Sequence, residues 1–257
     1  VIWNALTNFL ISISFIFTAP YIGSSVYYTL NRALIPFGLH HVLASLVRFT
    51  EAGGTYMLNG QEYVGILNAT NEILFNLGPT SEYWTQLMPK LTSYLGGAQM
   101  LTTLFRVPAI GLAMYHTSYL KNRKIAKGVI LTCCLTAFLG NITEPLEFSF
   151  LFISPALFIL YCVMCGIGLL PYQLLKISIG YIRGTIFDFG IFGLLYENTH
   201  WIGLVVLGIF NFIVFYFVFK WFILKFELET PGRESFEVEE SASILLKEKN
   251  WPAIAEI

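Results

Sequence analysis

The sequence predicts an all-α polytopic membrane protein, built from transmembrane helices with re-entrant or broken helices and a small extracytoplasmic hairpin. Three observations predict it. The 257 residues are 56% hydrophobic and only 12% charged, with a mean hydropathy of +0.66, well outside the average for a soluble domain. Residues 201–224 carry Lys220 as their single charge and exceed the roughly 20 apolar residues a spanning helix needs. Residues 140–151, Gly-Asn-Ile-Thr-Glu-Pro-Leu-Glu-Phe-Ser-Phe-Leu, set Glu144 and Glu147 inside an otherwise apolar stretch. An ionisable group in hydrocarbon costs several kcal/mol and marks a functional site by default.

Taken in chain order, the apolar stretches are 2–30, 91–120, 129–139, 146–170 and 201–224, with 177–195 more polar. The chain begins with Val1 and shows no basic n-region before a short apolar core, so the expectation is a fragment or processed piece with no signal peptide. Residues 51–89 hold four glutamates and no Lys or Arg, whereas residues 121–127, Lys-Asn-Arg-Lys-Ile-Ala-Lys, hold four basic residues. By the positive-inside rule the first loop faces outward and the second is cytoplasmic. In the outer loop, Asn59-Gly60 between short β-prone runs predicts the hairpin.

An even number of crossings must link the basic loop to the end of 201–224, where Lys220 and Lys225 favour the cytoplasm. The first of the four intervening stretches, 129–139, is only half a normal span before Asn141 and Pro145 interrupt it. A half-helix or re-entrant element presenting Asn141, Thr143 and Glu144 near the midplane is therefore expected, the kind of discontinuity where transporters place substrate sites. Residues 1–226 are read as the membrane domain and 227–257, with eight acidic and three basic residues, as a cytoplasmic linker. Cys133, Cys134, Cys162 and Cys165 lie in apolar stretches and are expected to be reduced core residues.

A second interrupted segment is residues 31–41, Asn-Arg-Ala-Leu-Ile-Pro-Phe-Gly-Leu-His-His. Arg32 and His40 flank Pro36 and Gly38, which predict a helix break between them. A site for a neutral polyol needs directional hydrogen bonds from groups of this kind, and Arg32, His40 and Glu144 supply guanidinium, imidazole and carboxylate. The substrate-binding candidates are Arg32, His40, Asn141, Thr143, Glu144 and Glu147. His40 and Glu144 are also the catalytic candidates, His40 as a base toward a sugar hydroxyl or as a hydrogen-bond donor.

Structural readings compete with these. Glu144 pairing with Arg106 or Arg183 is the alternative for that residue, and Glu147 serving as a support for Glu144 is the stronger reading for the second carboxylate. His41 is read as a packing group or a support for the residues of the site, His116 and His200 as interfacial residues. Arg183 and Asp188 either pair across a turn or line a cavity. An ion-coupled secondary sugar transporter using Glu144 and Asp188 remains the alternative function. A metalloenzyme is disfavoured because no His-Glu-x-x-His spacing is present, so no metal and no cofactor are expected.

Four strings resemble a known family: residues 36–41, Pro-Phe-Gly-Leu-His-His; 107–116, Val-Pro-Ala-Ile-Gly-Leu-Ala-Met-Tyr-His; 140–152, which extends the opening string through Phe152; and 230–234, Thr-Pro-Gly-Arg-Glu. Together they are similar to the membrane permease (IIC) domain of the bacterial phosphoenolpyruvate-dependent sugar phosphotransferase system, glucose superfamily. Residues 48–54, Arg-Phe-Thr-Glu-Ala-Gly-Gly, and 65–68, Gly-Ile-Leu-Asn, resemble its α-glucoside and maltose branch.

The resemblance implies a homodimer in the bacterial inner membrane that moves a sugar inward, with no nucleic-acid partner. A IIB domain phosphorylated on cysteine then phosphorylates the sugar, which makes the chain a component of a sugar phosphotransferase. It also implies that Arg32, His40 and Glu144 contact the sugar, and that residues 230–234 begin the linker to IIB. The family's domain has further N-terminal helices, and no IIB cysteine motif occurs here, so both are expected as partners on other sequence. Arg106 and Asn141 stand where many glucose members carry glycine.

Overall fold

A computed structural model describes residues 15–234, apart from 180 and 182. Helices dominate it, and among the described residues the only sheet is a two-stranded hairpin. Residues 2–14 of the first apolar stretch and 235–257 of the expected linker lie outside the described residues.

After a short helix Phe15–Thr18, α1 (Ile22–Ala33) leads through a tight turn, Ile35–Phe37, into α2 (His40–Phe49). Pro36 lacks an amide proton and Gly38 adopts a left-handed φ of 68°, so the chain breaks between Arg32 and His40 as their spacing predicts. Strands β1 (Thr55–Leu58) and β2 (Gln61–Val64) pair antiparallel around Asn59 and Gly60. Both turn residues have positive φ, the requirement of the tight hairpin turn that Asn-Gly favours.

Helix α3 (Ile66–Asn71) continues into a wider π-helical stretch, Glu72–Leu77, and α4 (Glu82–Thr92) follows. Residues 96–117 then form one interrupted rod: α5 (Gly96–Met100), a π-helical stretch Leu101–Arg106, and α6 (Val107–Thr117). Pro108 has no N–H to continue the α-helical ladder, which accounts for the widened turn just before it.

Helix α7 (Arg123–Gly140) starts inside the basic loop, so it is 18 residues long rather than confined to the apolar run 129–139. It stops at Asn141, whose left-handed φ of 58° is tolerated by asparagine at a helix end. Helix α8 (Glu144–Leu151) restarts with Pro145 in its first turn, where a missing N–H costs nothing.

Helix α9 (Pro155–Ile167) and its extension through Leu174, together with α10 (Trp201–Lys225), are the two described helices long and apolar enough to cross a membrane. The stretch 177–195 differs from the expected crossing. Among its described residues the regular part is limited to Ile186–Asp188 and the π-helical Phe189–Leu194, and Gly184, with a positive φ of 78°, precedes it.

Helix α10 packs against α6 and the π stretch before it, while α9 packs on α1. The two meet through edge-to-face rings, Phe150, Tyr161 and Phe219 with centroids 5.2 to 6.3 Å apart. All four cysteines are free, Cys162 and Cys165 fully in this core.

Beyond α10, residues 230–234 are bound to the α6–α7 loop. Arg233 donates to the carbonyls of Thr117 (2.9 Å) and Leu228 (3.0 Å), and the Tyr119 amide donates to Gly232 (3.0 Å). A Cβ on Gly232 would lie 2.6 Å from Ala126 Cβ and 2.7 Å from Ser118 Cβ, so only glycine admits this approach. The start of the expected linker is thus part of the packed body.

Candidate functional site

The two helix breaks face each other. Arg32, in the last turn of α1, is 2% exposed and reaches the α7–α8 break across more than a hundred residues of sequence. Its Nη1 donates to Thr143 Oγ1 (3.1 Å) and Glu147 Oε1 (2.9 Å), and its Nη2 donates to Gln99 Oε1 (2.6 Å). Glu147, 1% exposed, also accepts from the Tyr161 hydroxyl of α9 at 2.5 Å. This buried ion pair with three further hydrogen bonds ties α1, α5, α8 and α9 together, and charges removed from water persist only when so satisfied.

His40 is the first residue of α2 and Glu144 the first of α8, so each sits at a helix start that the break exposes. His40 Nε2 lies 3.5 Å from Glu144 Oε1, and the His41 ring centroid is 4.0 Å from that of His40. Asn31 Nδ2 donates to the His40 carbonyl across the first break (3.1 Å), which fixes the imidazole's backbone relative to Arg32.

A cavity of about 620 Å³ lies between the breaks, within the range that holds small-molecule ligands. Arg32, His40, Asn141, Thr143 and Glu144 all contribute to its wall, with Tyr27, Tyr28 and Phe148 supplying aromatic surface. His40 Nδ1, Arg32 Nε and Asn141 Oδ1 are buried polar atoms with no protein hydrogen-bond partner. Guanidinium and amide donors, a carboxylate acceptor, an imidazole and ring faces in one wall suit a neutral, hydroxyl-rich ligand. His40, His41 and Glu144 also offer atoms within 4.8 Å of one another, close enough to share a metal ion.

Five of the six sequence-derived candidates therefore share this cavity. Glu147, read from the sequence as substrate-binding or as a support, is not in the wall; its Oε1 accepts from Arg32 and Tyr161, and its Oε2 is buried without a partner. His41, read as a packing or supporting group, lines the cavity. Glu144 faces His40, with neither Arg106 nor Arg183 within ion-pair distance among the described residues. Arg183 lines the cavity, whereas Asp188 caps its own helix by accepting from the Thr185 amide (2.9 Å). His116 bonds the Tyr216 hydroxyl (2.8 Å) and His200 starts α10, both away from the cavity wall.

Gln99, Arg48 and Tyr161 are the residues sequence reasoning did not find. For Gln99 the available signal was a lone amide within the apolar run 91–120; Arg48 stood in a string quoted only for its resemblance. Tyr161 carried no signal, since a tyrosine among apolar residues is equally a packing group.

A family profile described as "Phosphotransferase system, EIIC" matches residues 1–166. The PTS system maltose-specific EIICB component of Escherichia coli (strain K12) is 37% identical over 214 residues, 83% of this chain and 39% of that protein. The PTS system glucose-specific EIICBA component of Staphylococcus carnosus (strain TM300) is 34% identical over 216 residues, 82% of this chain and 30% of that protein. The corresponding glucose-specific EIICBA component of Staphylococcus saprophyticus is 36% identical over 210 residues, covering 80% of this chain and 29% of that protein. The chain thus spans less than two fifths of the length of each of these relatives.

Proposed function

The chain belongs to the phosphotransferase system EIIC family, and we propose that it is the sugar-binding part of a permease for an α-glucoside, maltose or glucose. In this reading the sugar crosses the bacterial inner membrane and is phosphorylated by a phosphocysteine on a IIB domain. The observation that carries it is the convergence of Arg32, His40, Asn141, Thr143 and Glu144 on one cavity between two broken helices. Relatives named as maltose- and glucose-specific components, with EIICB and EIICBA organisation, support both the substrate class and a IIB partner. Arg32 and Glu144 hold the sugar hydroxyls, and Glu147 holds Arg32.

Transfer requires a sugar hydroxyl oxygen to attack phosphorus as the sulfur–phosphorus bond breaks and the cysteine leaves as thiolate. The hydroxyl proton passes to the His40–Glu144 pair, 3.5 Å apart and open to the cavity. No group in this pair needs to bond to phosphorus, so its role is to bind, orient and accept a proton.

The membrane arrangement goes with this reading. Helices α9 and α10 cross the bilayer, the α7–α8 break is re-entrant, the hairpin faces outward, and residues 121–127 and the C-terminus lie in the cytoplasm. The permease works as a homodimer, completed by further helices of the same protein and surrounded by lipid. The ion-coupled alternative loses its second carboxylate, because Asp188 is occupied as a helix cap.

The test is phosphorylation of maltose, glucose and methyl α-D-glucoside by membranes containing the full-length protein, with and without the phosphoenolpyruvate-driven donor proteins. Product that depends on the donor is expected. Full-rate uptake of unmodified sugar without the donor, abolished by collapsing the ion gradient, overturns the reading in favour of secondary transport.

A further inference from the structure

Arg106 is wholly buried, and among the described residues it has no carboxylate within ion-pair distance. Its charge is held by neutral groups: Nε donates to Asn211 Oδ1 on α10 (3.0 Å), Nη1 donates to Thr102 Oγ1 (3.2 Å), and the guanidinium lies over the rings of Phe215 (5.4 Å) and Tyr28 (5.8 Å). The Asn211 amide nitrogen donates to the carbonyls of Gly168 (3.2 Å) and Leu207 (2.9 Å), so its oxygen has one direction left, toward Arg106. Gly168 makes the arrangement possible, since a Cβ there would sit 2.2 Å from Asn211 Oδ1.

From Arg106 a chain of hydrogen bonds runs to the cavity, and its direction is forced from the cavity end. Arginine can only donate, so Thr102 Oγ1 accepts from Arg106. Thr102 and the Tyr28 hydroxyl are 2.7 Å apart, and Tyr28 is 3.0 Å from Gln99 Oε1. A threonine hydroxyl can accept twice, so the order follows from Gln99: Tyr28 gives its proton to Gln99 Oε1 and therefore accepts from Thr102. The Arg32 Nη2 donor meets the same oxygen at 2.6 Å. Two donors, one of which can do nothing but donate, fix which end of the Gln99 amide is oxygen. The side chain lines the cavity and is only half-buried.

We propose that Gln99 is a further sugar-contacting residue whose Nε2 is a fixed hydrogen-bond donor to an accepting sugar oxygen, its orientation set by the Arg32 and Tyr28 donors that meet Oε1. The proposal rests on the sugar-permease reading and adds to it a polarity: at one position the site recognises the sugar oxygen as an acceptor. Gln99, Thr102 and Arg106 are three and four residues apart on one rod and so share one face of it.

The test is binding of maltose, of glucose and of the monodeoxy and monodeoxyfluoro glucoses to the full-length protein in nanodiscs, by calorimetry, for wild type and Gln99→Glu. Fluorine accepts weakly and cannot donate. In the wild type one ring position should show a deoxy analogue bound about tenfold more weakly than glucose, with the fluoro analogue recovering part of that loss. Gln99→Glu keeps the oxygen facing Arg32 and Tyr28 but presents a second acceptor to the cavity. At that position the order should invert, the fluoro analogue binding more weakly than the deoxy one. A fluoro-to-deoxy ratio that is identical at every position in wild type and Gln99→Glu overturns the proposal. A folded wild type that binds neither maltose nor glucose defeats the sugar reading itself, and this inference with it.

Discussion

Replacing the buried Arg32–Glu147 pair one residue at a time, and then together, separates what holds the fold from what holds the ligand. The pair is 2.9 Å apart with side chains 3% and 1% exposed. At an effective dielectric of about 20 the Coulomb attraction is about 6 kcal/mol, most of it offset by the loss of hydration of both ions. Removing one partner leaves the other charge buried and uncompensated, which costs roughly 3–5 kcal/mol. Glu147→Leu also leaves the Tyr161 hydroxyl without its 2.5 Å acceptor, and Arg32→Met removes the donor to Thr143 and one of the two donors to Gln99. Each single variant should therefore melt on the order of 10 °C lower in a thermal scan of the detergent-solubilised protein.

The double variant Arg32→Met/Glu147→Leu places two apolar side chains where the pair was, and such exchanges are often neutral. It should recover most of the lost stability, with a coupling of at least about 2 kcal/mol. Sugar binding should stay absent in the recovered protein, because Arg32 also faces the cavity. Additive losses in the double variant would refute the ion-pair account. Wild-type sugar affinity in the double variant would refute the role given to Arg32.

Three further outcomes follow from the same geometry. Glu144→Gln should weaken maltose or glucose binding by about ten- to a hundredfold with membrane insertion unchanged, measured by calorimetry and membrane fractionation, since it removes the one carboxylate in the wall near His40. Gly168→Ala forces a Cβ to within 2.2 Å of Asn211 Oδ1 and should cost about 1–3 kcal/mol in thermal stability. Arg233→Ala removes the donors to the Thr117 and Leu228 carbonyls and should make residues 226–234 several-fold more susceptible to limited chymotrypsin digestion, at little cost to the melting temperature.

Much of this site was legible because broken helices leave marks in sequence. Pro36 with Gly38, and Asn141 with Pro145, announced two interruptions, and the ionisable groups beside them had no other reason to stand in apolar stretches. Their meeting in one cavity was not legible from periodicity, because it depends on α9 packing back onto α1 with α8 against α9. The same packing decides that Glu147, read as a support for Glu144, turns instead toward Arg32 while Glu144 stays in the cavity wall. The extent of α7 was misjudged because basic residues at a helix start end an apolar run without ending the helix. The stretch 177–195 shows the reverse: its apolar content suggested a span, but its described residues are helical only from Ile186 to Leu194. Gln99 escaped notice, and Arg106 was read only as a possible partner of Glu144, because a single polar residue in an apolar run becomes informative only when its partners, Tyr28 and Asn211, are known.

The most direct test of the central claim is an experimental structure of the full-length protein with maltose bound. The account predicts sugar density between the two helix breaks, within hydrogen-bond reach of Arg32, His40 and Glu144 and on the far side of Arg32 from Glu147. Maltose located elsewhere, with these three side chains still paired as they are without it, would contradict the account.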